Sequence, residues 1–250
     1  MSKTLSFLYG VFCYAVFLLS FLYAVGFVGN LVVPKSIDSG SESSLAGSLI
    51  INVVLLGLFA VQHTVMARPA FKRGWTKIVP VPVERSTFVL AASLSLLLLY
   101  WQWRPLPGVI WSVEAPAGKA VLLGFFWLGW GTVLLSTFIV NHFDLFGLRQ
   151  VWLHLRNQEY HHPEFQTKSL YRYIRHPIML GFIIGFWATP YMTAGHLLFA
   201  VATTVYILIG IQFEEHDLVQ FLGKNYEDYR RRVPMLIPFL RNRNAREDKA

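Results

Sequence analysis

The chain has 250 residues, of which 54% are hydrophobic, 16% aromatic and only 14% charged. A soluble domain carries about 25% charged residues, so this composition excludes an ordinary soluble protein and indicates an integral membrane protein. The formal net charge of +8 does not indicate a nucleic-acid partner, because the basic residues fall in short loops between apolar runs, where topology and anionic lipid headgroups explain them. The single cysteine, Cys13, excludes an intramolecular disulfide framework and a multi-cysteine zinc site.

Four apolar runs each approach the ~20 residues that a helix needs to cross a bilayer. They predict transmembrane helices over residues 5–29, 45–66, 86–103 and 118–141. A further apolar region, 177–213, is too long for one span, and the stretch TPYMTAGH interrupts it with the turn-formers Pro190 and Gly195. We predict a short helical hairpin there, with two helices of roughly 14 to 17 residues that just cross, or nearly cross, the bilayer.

The expected fold class is therefore an all-α integral membrane protein with four transmembrane helices, a C-terminal hairpin and an amphipathic cytoplasmic segment, in one membrane domain over residues 1–250. The loop 67–85 carries five basic residues against Glu84 alone. The positive-inside rule places this loop in the cytoplasm, together with both termini and the segments 142–176 and 214–240. We expect a multi-pass protein of the bacterial inner membrane whose chemistry takes place on the cytoplasmic side.

The first polar cluster, NHFDLFGLRQ at residues 141–150, follows the fourth predicted span. Asn141, His142 and Asp144 alternate there with bulky apolar residues. Two interpretations remain open at this point. The cluster is either a helix end at the membrane interface, with Asp144 paired to an arginine or capping a turn, or the mouth of a substrate pocket.

The second cluster is SLYRYIRHPIMLGF, residues 169–182. Pro177 disfavours helix at His176 and suits the first turn of the helix that follows. A helix N-terminus offers free N–H groups and a positive dipole, so with Arg175 beside it this stretch can receive a carboxylate or a phosphate. Binding of lipid headgroups by Arg172 and Arg175 is the alternative interpretation.

The third cluster contains Glu214 and Glu215, which we expect to follow directly after the last apolar helix. The C-terminal end of a helix is unfavourable for acids, so this placement predicts a compensating cation from the protein or from a ligand. A solvated helix face is the alternative. The fourth cluster, residues 223–239, alternates aromatic, basic and apolar residues and predicts a peripheral amphipathic helix, with folding back as a lid as a second possibility.

Metal and nucleotide motifs are missing from the sequence. The histidines show neither an HExxH motif nor an i, i+4 pair with a suitable acid, so structural or interfacial roles are favoured and we expect no metal. The residues concerned are His142, His154, His161, His162, His176 and His216. The sequence also contains no P-loop, and no glycine-rich fingerprint that follows a strand.

The order of these clusters resembles a known pattern. Over residues ~170 to 238, RHPIMLG, an apolar hairpin and EEHDLVQFLGKNYEDYRRRVP resemble the isoprenylcysteine carboxyl methyltransferase superfamily of membrane enzymes. The preceding NHFDLFGLRQVWLHLRN departs from the prenyl-protein enzymes. It is similar instead to the bacterial methanethiol S-methyltransferases, which the chain resembles most, and to the related family encoded near nitrogen-oxide reductases.

The resemblance implies S-adenosylmethionine as methyl donor, with its carboxylate near Arg175 and the N-terminus at Pro177, and its ammonium near Glu214 or Glu215. The cofactor-binding residues implied are Gln150, Tyr171, Arg175, His176, Pro177, Glu214, Glu215, Tyr226, Tyr229 and Arg230. The adenine would lie among the tyrosines.

The reaction implied is in-line transfer to the sulfur of methanethiol, which gives dimethyl sulfide. Because the thiolate is the nucleophile, His142 and Asp144 are the candidate proton acceptors. A small apolar substrate pocket is expected from Phe143, Phe146, Phe182 and Trp187. The alternatives are methylation of a larger thiol or carboxylate, such as a prenylcysteine-like lipid, and a non-catalytic membrane accessory protein.

Overall fold

A computed structural model describes residues 1–41, 43–163, 165 and 167–238. The last two residues of the predicted 214–240 segment, which include the final residue of the predicted amphipathic stretch, therefore lie outside the described residues. Helices dominate the described chain. They are α1 (Lys3–Gly29), α2 (Leu45–Ala67), α3 (Pro69–Trp75), α4 (Val81–Gln102), α5 (Pro116–Val140), α6 (His142–Leu145), α7 (Leu148–Leu155), α8 (Pro177–Trp187), α9 (Ala194–Leu222) and α10 (Lys224–Arg232). A 3₁₀ turn covers Ser169–Arg172, and two short strands, β1 (Val109–Ser112) and β2 (Tyr191–Thr193), complete the fold.

Five helices among the described residues are long and apolar enough to span a membrane, so the prediction of four was wrong. Four of them, α1, α2, α4 and α5, overlap the predicted spans. The fifth is α9, with 29 residues. The protein is thus a helical, multi-pass integral membrane protein.

The predicted hairpin has unequal arms. Its first helix, α8, has only 11 residues and begins at Pro177 as predicted. Its second helix, α9, does not end near residue 213. It continues through Glu214 and Glu215 to Leu222, and Gly223 follows with a positive φ of 57°. The helix continues beyond the apolar run because charged side chains are compatible with a helix. It ends where Gly223 adopts a positive φ, which is not a helical conformation.

The described chain consists of two compact units. The expectation of one membrane domain stays a prediction. The first unit comprises 1–113, 141–163 and 190–199; the second comprises the described residues among 114–140, 164–189 and 200–250. In the first unit, α4 packs against α1 and α2, and α7 packs against α1 and α4. The strands pair antiparallel there, with Val109 opposite Thr193 and Ser112 opposite Tyr191. These two short strands lie in segments for which the sequence predicted only loops and a turn.

In the second unit, α5 packs closely against α8 through glycines. An added β-carbon at Gly129 would meet the backbone nitrogen of Gly185 at 2.6 Å and the carbonyl oxygen of Gly181 at 2.7 Å. The two helices approach this closely because no side chain separates their backbones at that level. The contact fixes α8, whose N-terminus follows directly after Arg175 and His176.

We expect Gly129→Ala to lower the free energy of unfolding by about 1–3 kcal/mol, because the backbone atoms that the new methyl group meets cannot move aside. The matched control is Gly131→Ala in the same helix, where an added β-carbon has none of the described atoms within 4 Å. That variant should be neutral or slightly more stable. Chemical unfolding of both variants in detergent checks the difference, and equal effects would contradict the packing argument.

Candidate functional site

Arg175 forms the centre of a buried polar cluster in the second unit. It lies between the 3₁₀ turn and α8, and its side chain is only 6% exposed. Its Nε donates to Oε1 of Glu215 at 2.7 Å. One of its terminal nitrogens donates to the carbonyl oxygens of Arg230 at 2.9 Å and Val233 at 2.5 Å. One guanidinium therefore connects the loop before α8 with α9 and with the C-terminal segment.

The same glutamate also contacts His176. Glu215 Oε1 lies 3.0 Å from His176 Nε2, and both side chains are buried. Glu214 differs, because its side chain is 46% exposed and its carboxylate lies 3.8 Å from His176 Nδ1. The two adjacent acids thus have different environments: Glu215 is already engaged by two side chains, whereas Glu214 remains half accessible to a ligand.

The backbone around Arg175 is paired as well. The N–H of Arg175 donates to the carbonyl of Pro234 at 2.9 Å, and the N–H of His176 donates to the carbonyl of Met235 at 3.1 Å. The C-terminal segment therefore lies directly against the Arg-His-Pro loop. Folding back was the second of the two interpretations of residues 223–239, and the role of this segment as a lid stays a prediction.

Three tyrosines surround this cluster. Tyr229 donates from its hydroxyl to the carbonyl of Tyr171 at 2.7 Å, and burial raises the pKa of Tyr229 to about 12. Burial, followed by the negative charge of a neighbouring glutamate, also raises the pKa of Tyr171 and Tyr226. Tyr226 is 2% exposed, and among the described residues its hydroxyl has no hydrogen-bond partner. All three remain neutral phenols near pH 7.

The predicted polar cluster at residues 141–150 lies in the first unit. Asn141 has an unusual φ of 144° and caps α6, accepting from the N–H of Asp144 at 3.2 Å. Asp144 accepts from Arg149 at 2.9 Å and from the Tyr160 hydroxyl at 3.2 Å, while Gln150 donates to its carbonyl at 3.0 Å. The pairing of Asp144 with an arginine agrees with the helix-end interpretation. A positive φ at a non-glycine residue is a strained conformation of the kind that concentrates at functional sites.

His142 is 5% exposed and lies among aromatic rings. Its Nε2 is 2.8 Å from the hydroxyl of Tyr14 on α1, and the rings of Phe143 and Phe146 meet it nearly edge-on, with centroids 5.4 and 4.9 Å away. Burial lowers the pKa of His142 below its ordinary value. The imidazole is therefore neutral at pH 7, which is the form that can accept a proton.

The turn that carries His142 and Asp144 is held from α4. Arg85 donates from Nε to the carbonyl of Leu145 at 2.8 Å. The Ser86 hydroxyl donates to the carbonyl of Gly147 at 3.3 Å, and a β-carbon at Gly147, whose φ is 88°, would meet that hydroxyl oxygen at 2.6 Å. Only glycine satisfies both the conformation and the close approach at this position.

The structure thus groups the predicted residues into two sets. The second unit brings together the side chains of Tyr171, Arg175, His176, Glu214, Glu215, Tyr226 and Tyr229, with Pro177 starting α8 and Arg230 contributing its carbonyl. The first unit brings together His142, Phe143 and Phe146, and separately Asp144 with Gln150. Gln150 is therefore placed with Asp144 in the first unit, although it was predicted among the cofactor ligands.

The four predicted substrate-pocket residues are also divided between the two units. Phe143 and Phe146 belong to the first unit, and Phe182 and Trp187 belong to the second. Phe146 stacks on Phe17 with ring centroids 3.7 Å apart in the first unit. In the second unit, Phe182 packs edge-on to Trp130, and Trp187 donates from Nε1 to the Thr204 hydroxyl at 2.9 Å. The roles of all these site residues stay predictions.

Several contributors were not predicted, among them Tyr14, Tyr160 and Phe165. Phe165 packs edge-on to Tyr226 and Tyr229, with ring centroids 5.8 and 5.4 Å away. The hydroxyl of Tyr14 within an apolar span was the one available signal, since a phenol in a membrane helix needs a polar partner. Across the described ranges, no group of three or more His, Cys, Asp or Glu side chains is arranged to hold a metal ion.

Comparison with known proteins finds relatives along almost the whole chain. A methanethiol S-methyltransferase of Mycobacterium tuberculosis is 58% identical over 239 residues, which cover 96% of this chain and 98% of that protein. A methanethiol S-methyltransferase of Crocosphaera subtropica is 54% identical over 240 residues, 96% of this chain and 94% of the relative. Nurim of Mus musculus is 29% identical over 185 residues, 71% of this chain and 70% of its own length. No family model and no solved structure matches the chain.

Proposed function

The chain belongs to the methanethiol S-methyltransferase family, and from this premise we propose that it methylates methanethiol to dimethyl sulfide with S-adenosylmethionine as the methyl donor. The observation that carries the proposal is the 58% identity that extends over 96% of this chain and 98% of the relative. The similarity therefore extends over nearly the full length of both chains.

The second unit offers groups that suit a zwitterionic methyl donor. Glu214 is half exposed and presents a carboxylate for an ammonium group. The N-terminus of α8 at Pro177 suits a carboxylate, because its N–H groups and dipole favour an anion. The buried hydroxyl of Tyr226, which no described residue satisfies, would gain a partner from a polar ligand group. These residues fit S-adenosylmethionine.

When bound, S-adenosylmethionine would supply an electrophilic methyl group to the thiolate sulfur and leave as S-adenosylhomocysteine. The protein then has two tasks, which are to align the thiol and to remove its proton. For proton removal we propose His142 and Asp144, because the buried neutral imidazole can accept a proton and the carboxylate lies on the same turn. Phe143, Phe146, Phe182 and Trp187 stay the proposed contacts of the thiol.

The small size of methanethiol limits its affinity. With two non-hydrogen atoms at about −1.5 kcal/mol each, its binding free energy reaches at most about −3 kcal/mol, which corresponds to a dissociation constant of about 6 mM. Stabilisation of the thiolate by charge, rather than contact area, must therefore provide selectivity against water. A positive electrostatic potential near the thiol is therefore more important than the shape of the pocket.

We also propose the orientation in which the basic segment between α2 and α4 faces the cytoplasm of a bacterial inner membrane. Four basic residues in the segment that joins the long helices α2 and α4 support this orientation. They are Arg68, Lys72, Arg73 and Lys77. The active site would then face the cytoplasm, where the methyl donor is made available.

The direct test supplies purified protein with S-adenosylmethionine and up to about 10 mM methanethiol, and measures dimethyl sulfide in the headspace gas. We expect product that depends on both substrates. Product from longer thiols but not from methanethiol would favour the larger-substrate alternative. Absence of S-adenosylmethionine binding by calorimetry would contradict the methyltransferase assignment itself.

We expect Glu214→Gln to weaken S-adenosylmethionine binding about 10- to 100-fold, because the neutral amide cannot pair with an ammonium group. Turnover at saturating donor should remain close to that of the unchanged protein. Isothermal titration calorimetry measures the affinity, and Glu227→Gln on α10 removes the same charge from the same segment as a control. Equal affinities for all three proteins would exclude Glu214 as the ammonium partner.

For Asp144→Asn we expect turnover to fall by about 100-fold or more, while the affinity for S-adenosylmethionine stays nearly unchanged, since general-base assistance typically contributes at least that factor. The control is Glu159→Gln, which changes an acid with a 91% exposed side chain in the same unit. Losses of equal size in turnover and donor affinity would instead indicate that Asp144 only holds its turn through Arg149.

A further inference from the structure

A groove of about 400 Å³ opens on the surface of the first unit. Its apolar walls come from Phe7 and Val11 of α1, Leu148 and Trp152 of α7, and Phe143, and its polar lining residues are Asn141 and Arg149. These walls are apolar, yet Val11, Phe143 and Trp152 are 42%, 50% and 48% exposed. A volume in this range is typical of pockets that bind an organic ligand.

The groove lies near the start of a membrane-spanning helix. Phe7 and Val11 come four and eight residues after Lys3, where α1 begins. At 1.5 Å per residue they lie roughly 6 to 12 Å along the helix axis, which is the depth of the boundary between headgroups and acyl chains. Acyl chains of surrounding lipid are therefore within reach of the groove.

One end of the groove is basic. Arg149 lines it, and the Arg156 guanidinium lies 5.7 Å from the centroid of the Trp152 ring. Lys3 donates a hydrogen bond to the side chain of Asn157, the residue after Arg156. The charge of Arg149 is balanced by Asp144 at 2.9 Å. The excess positive charge at this end thus comes from Lys3 and Arg156.

We propose that this groove binds one anionic phospholipid, with an acyl chain along the apolar walls and the phosphate-bearing headgroup at Lys3 and Arg156. An apolar channel that ends in two cations is complementary to a molecule with a long apolar chain and a terminal anion. Methanethiol has only two non-hydrogen atoms and leaves most of a 400 Å³ groove unfilled. Lipid binding goes beyond the methyl transfer proposed above, although the groove includes Phe143 and lies beside Asp144, which pairs with Arg149.

Native mass spectrometry of the full chain in detergent tests the proposal, with phosphatidylglycerol and phosphatidylcholine of matched acyl chains as probes. We expect one phosphatidylglycerol per chain, bound about tenfold or more tightly than phosphatidylcholine. Lys3→Gln and Arg156→Gln should each weaken phosphatidylglycerol binding about fivefold, which is the effect of one surface cation on an anionic lipid. Trp152→Ala should weaken the binding of both lipids.

The matched control is Arg73→Gln, which removes one exposed cation from α3 in the same unit. It should leave the lipid affinity unchanged, and Arg156→Lys should retain binding within about twofold and so guard against a folding defect. The proposal is overturned by equal binding of the two lipids, by an equal loss of affinity in Arg73→Gln, or by displacement of the lipid with millimolar methanethiol.

Discussion

The buried ion pair between Arg175 and Glu215 is the interaction on which the candidate cofactor site depends. Burying two charges costs several kcal/mol each, and only good geometry with further hydrogen bonds offsets that cost. Here Glu215 accepts from Arg175 and contacts His176, while Arg175 also donates to the carbonyls of Arg230 and Val233. The loop before α8, α9 and the C-terminal segment are therefore joined at Arg175. Loss of either Arg175 or Glu215 would leave an uncompensated buried charge and lower the free energy of unfolding by about 3–5 kcal/mol.

This pairing changes how the charges of the methyl donor are matched. The sequence alone suggested that Arg175 contacts the donor carboxylate directly and that either glutamate contacts the ammonium. Because Arg175 and Glu215 already satisfy one another, we infer that Arg175 acts chiefly by holding the C-terminal segment in place. On this proposal, the helix N-terminus at Pro177 and the half-exposed Glu214 would be the groups left for the ligand. Both belong to the clusters recognised from sequence, but their tasks are divided differently.

Whether a feature could be predicted from the sequence depends on how far apart in the chain the interacting residues lie. Apolar runs located four of the five long helices, and the restriction that Pro177 places on its predecessor located the start of α8. The length of α9 was missed because the apolar run ends before the helix, which places Glu214 and Glu215 inside it instead of after it. The partners of His142 were missed for another reason. Tyr14 is 128 residues away in sequence, and no local pattern encodes such a contact.

The most direct test of the central claim is hydrogen–deuterium exchange of the backbone amides between residues 224 and 235, with and without S-adenosylmethionine. In the unchanged protein we expect protection of this segment that increases when the donor binds. Arg175→Gln should lose the protection and the response to the donor, while Arg172→Gln, which changes an exposed arginine three residues earlier, should retain both. Protection and donor response in Arg175→Gln equal to those of the unchanged protein would contradict the role of the buried pair.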